Sequence, residues 1–323
     1  TDLDIDIVTP VPLSDSKELE ISSNMTIHRI PGIESKRFRG FINQKKISNF
    51  ITELDKKNNY DFILFETFEH VYVLSLLPKY IFNKLAIRIH GCLETETFVF
   101  SNKLTHRLRY FTAKKFLFPK LRYIISTNSY HNYFIKKYFY NENEYEIAKR
   151  DFFVLPNTIK EKDFADIKQF NSNTKIKLFM LGRMDYDGYL QKGFEDFLNA
   201  LILLDKSYID KIEIIIVGSG SYRDRLISKS ENNNLPIKFI EKLSHEETLG
   251  AMSQSDVVVL PSRFEGMSMF GLEALYTKNL VIFTNTGGIK DMVTNNGFLV
   301  DVQNIEQLSY AIERVVELDL IQR

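Results

Sequence analysis

The strongest constraint on this chain is an alternation kept up from end to end: short apolar runs, each followed by a segment with helical spacing. In the first half the apolar runs are LDIDIV, MTIHRI, DFILF, LAIRI, YIIST and FFVL, and helical spacing occupies roughly 37–57, 69–82, 98–117 and 129–148. In the second half KIKLFML, KIEIIIV, PIKFI, DVVVL, LVIFT and GFLV are the strand candidates, and a helix follows almost every one. Such alternation predicts parallel sheets assembled from β-α-β units. EIIIVG and DVVVLP are apolar throughout, the mark of strands buried on both faces. With 323 residues, 44% of them apolar, the chain has material for two domains. Pro156 ends a strand and a polar stretch runs from Asn157 to Lys175, which predicts one domain over 1–156 and a second over 157–323. Two doubly wound domains side by side leave a cleft at the carboxyl ends of their strands. The chain enters a strand pattern directly after Thr1, so a truncated start is expected.

Charge separates the halves. Residues 1–156 carry 23 Lys+Arg against 18 Asp+Glu, a net of +5, and the remainder carries 19 against 24, a net of −5. Different partners are therefore expected for the two. Cys92 is the only cysteine, which excludes an internal disulfide and fits a reducing compartment. No apolar run approaches the ~18 residues that span a bilayer. A cytoplasmic setting is expected. Neutral overall charge and the lack of a recognition motif argue against nucleic-acid binding.

The chemistry-bearing residues gather behind the second-half strands. After DVVVLPS a turn over Ser262–Gly266 leads into a helix beginning near Met267 or Ser268. The first turn of such a helix presents unpaired N–H groups with the positive end of the dipole behind them, an anion site. Glu265 in the turn and Glu273 in the helix would repel an anion, so their role is to accept hydrogen bonds from neutral hydroxyls. A sugar nucleotide has hydroxyls at both ends and an anion between them. Its charge calls for cations, and Gly182-Arg183 ends one strand while Lys192 opens the next predicted helix. Arg183 can grip phosphate oxygens bidentately and Lys192 acts as a compact charge. VGSG and NTGG place glycines at two further strand ends.

The order GR…KG, VGSG, DVVVLPSRFEGMSMFGLEAL, NTGGIKDMV and NNGFLVDV resembles the retaining glycosyltransferases of family 4, over about residues 151–318. VLPNTI, IISTNSYHNYFIKKY and AIRIHG extend the likeness, less distinctively, into the first half. The resemblance implies the GT-B fold, two Rossmann-like domains facing across a cleft. It implies an enzyme that moves a sugar from a nucleotide-diphosphate donor with retention, a UDP-sugar being expected ahead of a GDP-sugar. A glycan or lipid-linked acceptor is expected from the basic stretch at 101–122, and metal independence from the charge of Arg183 and Lys192. Polysaccharide biosynthesis is the implied setting. By the same resemblance Arg183 and Lys192 bind the diphosphate, Glu265 faces the donor sugar and Glu273 holds the ribose hydroxyls. Gly182 and the amides of Gly266, Met267, Ser268, Met269 and Phe270 line the donor, Lys242 and Leu243 line the base, and His90 lies over the donor sugar. The implied catalytic set is Glu265, His90, Arg183 and Lys192.

Two alternatives come from the residues themselves. Asp185 and Asp187 form a D-x-D after a strand, the pattern of a metal-dependent transferase. With Arg183 and Lys192 flanking it, no metal is expected. Asp2, Asp4 and Asp6 alternate along a strand and are read as one solvent face. A non-catalytic subunit that binds or stabilises a transferase is the second functional reading. The stretch 101–122 holds seven Lys/Arg and no acid, with Phe100, Leu104, Leu108 and Phe111 at helical spacing. A basic amphipathic helix of this kind suits an anionic membrane surface, each basic residue near it adding about 1 kcal/mol. It suits equally the guiding of an anionic acceptor, or a solvated face beside an ordinary core stripe. Peripheral attachment at the inner face of the membrane is the corresponding expectation.

Overall fold

The computed structural model describes residues 4–11, 24–34, 41–66, 71–91, 104–159 and 175–318. Asp2, Cys92, Phe100 and Lys103 lie outside them. Among the described residues the chain forms two compact units. One lies within Thr1–Ile89, Glu96–Ser126 and Asn132–Phe153, and the other within His90–Thr95, Thr127–His131 and Val154–Arg323.

In the first unit β1 (Ile5–Val11) pairs in parallel with β2 (Met25–Glu34). A four-stranded sheet runs β3 (Ile63–Phe65), β4 (Leu85–Ile89), β5 (Tyr123–Ser126), β6 (Asp151–Val154) in spatial as in chain order. The helices are α1 (Phe41–Asn58), α2 (Val71–Leu76), α3 (Leu104–Thr112), α4 (Ser129–Tyr138) and α5 (Glu144–Ala148). α2 is shorter than its apolar run because Pro78 interrupts it, and a 3₁₀ turn over Lys79–Asn83 follows. The single helix expected over 129–148 is two, broken where Asn141 and Glu142 take φ of 51° and 56°. α3 passes into a π-helical turn over Ala113–Leu117.

Asp6 corrects the reading of a solvent face. Its carboxylate accepts from Asn58 Nδ2 at 3.0 Å and from the Tyr60 hydroxyl, and lies 3.1 Å from His28 Nε2. The Tyr60 bond, with help from His28 and Asn58 against the cost of burial, holds Asp6 below the usual carboxylate range. Burial and that same bond push the Tyr60 hydroxyl up to about 12. The residue joins β1 to β2 and to the end of α1.

The second unit is built on one six-stranded parallel sheet with the order β12-β11-β10-β7-β8-β9. Its strands are β7 (Ile176–Leu181), β8 (Ile212–Val217), β9 (Ile237–Ile240), β10 (Val257–Leu260), β11 (Leu280–Thr284) and β12 (Gly297–Val300). Between and after them lie α6 (Tyr186–Lys192), α7 (Phe194–Leu203), α8 (Lys206–Ile209), α9 (Arg223–Asn232), α10 (His245–Ser253), α11 (Met269–Tyr276) and α12 (Ile305–Glu317). Apolar cores cover both faces, one around Phe194, Phe197, Ile214 and Ile312 and the other around Phe179, Val258, Phe270 and Phe283. All four residues of β10 are buried, as its apolar run requires.

Chain order and spatial order diverge at one place. β7, β8 and β9 proceed outward in one direction, and β10 returns to the other side of β7. The turns after β7 and β10 therefore leave neighbouring strand ends and diverge, the crevice where open α/β sheets receive ligands.

Candidate functional site

The turn after β10, Pro261 to Met267, is the centre of the site. β10 is fully buried, so its end emerges from the middle of the sheet, and the chain crosses the edge before Ser268 starts α11. Ser268 caps that helix, its Oγ accepting from Gly271 N at 3.2 Å. The helix thus begins at Met269, later than the expected Met267 or Ser268. Its first N–H groups, including those of Met269 and Phe270, have no intrahelical acceptor.

Lys192 reaches this turn from the segment behind β7. Its Nζ donates to Glu265 Oε2 at 2.7 Å, and Ser262 Oγ donates to the same oxygen at 3.2 Å. Glu265 is buried, and these two partners satisfy that carboxylate oxygen. Lys192 does not open a helix, as its place in the sequence suggests. It closes α6, a seven-residue helix between β7 and α7. Asp185 makes α6 possible by capping it, Oδ1 taking Gly188 N at 2.7 Å. The other Asp185 oxygen accepts from Arg183 Nη1 at 3.0 Å. The D-x-D of Asp185 and Asp187 is thereby split, one carboxylate serving as a cap and guanidinium partner and the other standing exposed in the first turn. No group of three His, Cys, Asp or Glu arranged to hold a metal occurs among the described residues.

Backbone fits hold the turn. Gly193, at φ 69°, follows Lys192, and a Cβ there would lie 2.0 Å from the Pro261 carbonyl oxygen. Gly287, at φ 51°, would meet the Glu265 carbonyl oxygen at 1.7 Å, and Gly288 N donates to Gly266 O at 2.9 Å. Arg263 N donates to Gln191 O at 2.8 Å, and Gln191 Nε2 returns a bond to Phe264 O at 3.3 Å. The Arg263 guanidinium takes both oxygens of the buried Asp196 carboxylate at 2.9 Å each. That bond raises the Arg263 pKa further against the cost of burial.

Beneath α6, Glu195 accepts from Tyr189 Oη at 2.6 Å, from Arg225 Nε at 3.2 Å and from Lys229 Nζ. Burial would raise its pKa, but Lys229, Tyr189 and Arg225 together hold it below the usual range. This cluster ties α6 to α7 and α9.

Glu273 lies one helical turn into α11 and is mostly buried. It pairs with His245 Nε2 at 3.0 Å across to the first residue of α10. Since the carboxylate can only accept, Nε2 carries the proton. Lys242, exposed, and Leu243, half-buried against the core around Phe179, Val258, Phe270 and Phe283, follow the end of β9. His90 follows β4 in sequence and stands at Gly266, where a Cβ would come within 2.6 Å of the His90 carbonyl oxygen. Gly266 therefore has no room for a side chain. Gly182 faces Lys192 with equal closeness, its Cβ position 2.8 Å from Lys192 Cγ.

Several participants carry no role in the sequence reading. Asn157 donates Nδ2 to Met267 O at 2.9 Å. Buried His131 and Asn128 flank Gly266 and Gly288, and Asn128 Oδ1 accepts from His131 N at 2.9 Å. Ser262, Asp196, Arg263 and His245 complete the set. Pro-Asn at 156–157 and the polar string after β5 are visible in the sequence. Partners such as Asp196 and Arg263, 67 positions apart, are not.

Three kinds of comparison bear on this arrangement. The description "Glycosyl transferases group 1" fits residues 161–323. An uncharacterized glycosyltransferase of Methanocaldococcus jannaschii is 25% identical over 325 residues, covering 93% of this chain and 78% of that protein. A glycogen synthase of Mycobacterium tuberculosis is 27% identical over 145 residues, covering 44% of this chain and 34% of the synthase, so the match spans about a third of that enzyme. Among solved structures, a sucrose-phosphate synthase from Thermosynechococcus elongatus superposes with a TM-score of 0.73 at 17% identity, over 97% of this chain and 79% of that one. A trehalose-6-phosphate structure from E. coli bound with UDP-2-fluoro glucose superposes with a TM-score of 0.70 at 12% identity, over 98% and 86%. These neighbours share the GT-B fold, and the two parallel-sheet units are its α/β halves.

Proposed function

The chain belongs to the glycosyl transferases group 1 family, and from that premise we propose that it transfers a sugar, with retention, from a nucleotide-diphosphate donor to a glycan or lipid-linked acceptor. The observation that carries this reading is the meeting of Lys192, Glu265 and Ser262 at the divergence of the turns after β7 and β10. A buried carboxylate and a cation there suit a ligand with both hydroxyls and phosphates.

In this reading Arg183, Lys192 and the first amides of α11, with Gly182, Gly266, Met267, Ser268, Met269 and Phe270 close by, hold the diphosphate. Negative charge grows on its terminal oxygen as the bond to the anomeric carbon breaks, and fixed cations lower that barrier. Glu265 holds sugar hydroxyls, Glu273 the ribose diol, and Lys242 and Leu243 line the base. His90 lies over the sugar. The acceptor oxygen attacks the face the leaving group vacates, and the departing phosphate takes its proton. Glu265 is engaged by a lysine and a serine, a poor state for a nucleophile, which favours this route over a covalent intermediate. We assign the donor side to 157–323 and the acceptor side to 1–156. No metal enters the scheme, since Arg183 and Lys192 supply the neutralising charge.

A uridine donor draws support from the UDP-2-fluoro glucose in the E. coli neighbour. The glycogen synthase likeness supports a polysaccharide product. A lipid-linked acceptor would bring the chain to the inner face of a membrane. No helix among the described residues is long and apolar enough to cross one.

Calorimetric titration with UDP and GDP, in EDTA and in Mg²⁺, tests the reading. UDP binding equal in both media is expected. Lys192→Ala and Arg183→Ala should each weaken it about ten- to hundredfold, since charge-assisted hydrogen bonds contribute roughly 1.5–3 kcal/mol. Unchanged affinity in both variants would sink the assignment, and loss of binding in EDTA would sink metal independence. Donor binding with no transfer to any acceptor would favour a non-catalytic subunit.

A further inference from the structure

The π-helical turn at the end of α3 builds an exposed surface that the donor chemistry does not use. On a regular α-helix, residues five apart stand about 140° from one another. Phe111 and Phe116 would then point in different directions. The turn over Ala113–Leu117 closes its hydrogen bonds five residues apart, which underwinds the helix and narrows that angle. The Lys115 ammonium lies 5.5 Å from the Phe111 ring centre and 5.6 Å from that of Phe116.

Both rings are open to solvent, Phe111 at 55% and Phe116 at 45%, and Leu108 beside them is 55% exposed. The opposite side of the element is packed. Tyr110 donates its hydroxyl to Tyr138 O at 2.9 Å and meets the Phe139 ring at 5.1 Å, while Ala113, Leu117 and Phe118 are buried. Lys114 is turned to that side and bonds Asn141 Oδ1 at 2.8 Å. Arg107, four positions before Phe111, and Lys115, four positions after it, are exposed. From 101 to 122 the chain carries seven basic residues and no acidic one.

We propose that Leu108, Phe111 and Phe116, rimmed by Arg107 and Lys115, seat the chain on an anionic lipid surface. Apolar side chains at the centre enter the acyl boundary, and the cations at the rim meet lipid phosphates, the arrangement of an in-plane membrane contact. Charge complementarity selects this occupant, since an uncharged or cationic partner leaves the basic rim unanswered. The inference stands apart from the donor reading and does not require it.

The test uses the intact chain, sedimented with vesicles of phosphatidylcholine alone or of phosphatidylcholine with phosphatidylglycerol. Pelleting with the anionic vesicles should exceed that with the neutral ones at least about tenfold and fall as salt is raised to about 0.5 M. Phe111→Ser with Phe116→Ser should remove it, as should Arg107→Glu with Lys115→Glu, while the melting temperature and UDP titration stay as in the parent chain. If the ring variant folds poorly, the charge variant carries the test, because both of its residues are exposed. Equal pelleting of parent and variants, or pelleting with neither vesicle, would overturn the proposal. A dimer in sedimentation velocity that the ring substitutions dissolve, without vesicle binding, would assign the face to a second copy of the chain instead.

Discussion

Lys192 and Glu265 neutralise each other across 73 positions of sequence in the turn we assign to the donor. A phosphate arriving there must take Lys192 from Glu265. Glu265→Gln keeps the shape and the Ser262 bond while releasing the ammonium. We expect it to tighten UDP binding about tenfold, the worth of one charge-assisted hydrogen bond, and to lower kcat at least about a hundredfold. Titration and steady-state rates of the one variant check both halves, and weaker UDP binding would refute the exchange. The spacing of Glu265 and Glu273 was legible in the sequence, and so was the run of glycines around them. Their partners were not. Ser262 lies within the same turn, but Lys192 and His245 are brought in by tertiary packing, which no local pattern encodes. Asp6 shows the same limit from the other side. Its period-2 spacing is that of a strand, yet the partner that keeps it from solvent, Tyr60, is 54 residues away.

Short elements behave differently from long ones. The six strands of the second unit were readable as short apolar runs, most clearly β10, whose four residues are all buried. α6 was not, since seven residues containing a glycine carry too little periodicity to distinguish a helix from a loop. Its cap, Asp185, and its αL terminator, Gly193, are the local signals that identify it. Gly193→Ala forces a side chain into both a left-handed backbone and the Pro261 carbonyl. We expect a loss of at least about 2 kcal/mol in chemical denaturation, with turnover falling alongside, because Lys192 and Glu265 move with this junction. Asp196→Ala probes the same junction from α7. It leaves Arg263 without its fork, and a destabilisation of about 1–3 kcal/mol is expected, at the low end because Arg263 is partly exposed. Ser268→Ala should cost α11 about 1 kcal/mol, read as a lower melting temperature.

At the scale of the whole molecule, strand–helix alternation was enough to predict parallel sheets, and the GT-B class came from the resemblance that the second-half motifs carry. It could not give the strand order, because which strands pair is decided by burial and by handed crossovers rather than by any one segment. The return of β10 to the side of β7 is the decisive case. Charge networks also act at this scale. Glu195 joins three helices, and its folded pKa is depressed. A depressed carboxylate adds stability above its unfolded value, here the ordinary 4.5, and loses it as pH falls through the folded value. Thermal melts from about pH 7 to pH 3 should therefore drop on the acid side, and Glu195→Gln should start lower at neutral pH and show a shallower acid decline. An equally steep decline in the variant would assign the acid sensitivity to other groups.

The paired state of the turn after β10 has a consequence for discrimination. Arg183 is matched by Asp185, Lys192 by Glu265 and Glu273 by His245. With Arg183 set against Asp185 and Lys192 against Glu265, such a crevice carries no surplus positive charge from these cations, so it does not gather passing anions. Inorganic phosphate could relieve a lysine only by stranding a buried carboxylate. In the donor assignment we propose, a sugar nucleotide brings phosphates for the cations and hydroxyls for the carboxylates in one molecule. Selectivity of this kind comes from the protein being its own competitor.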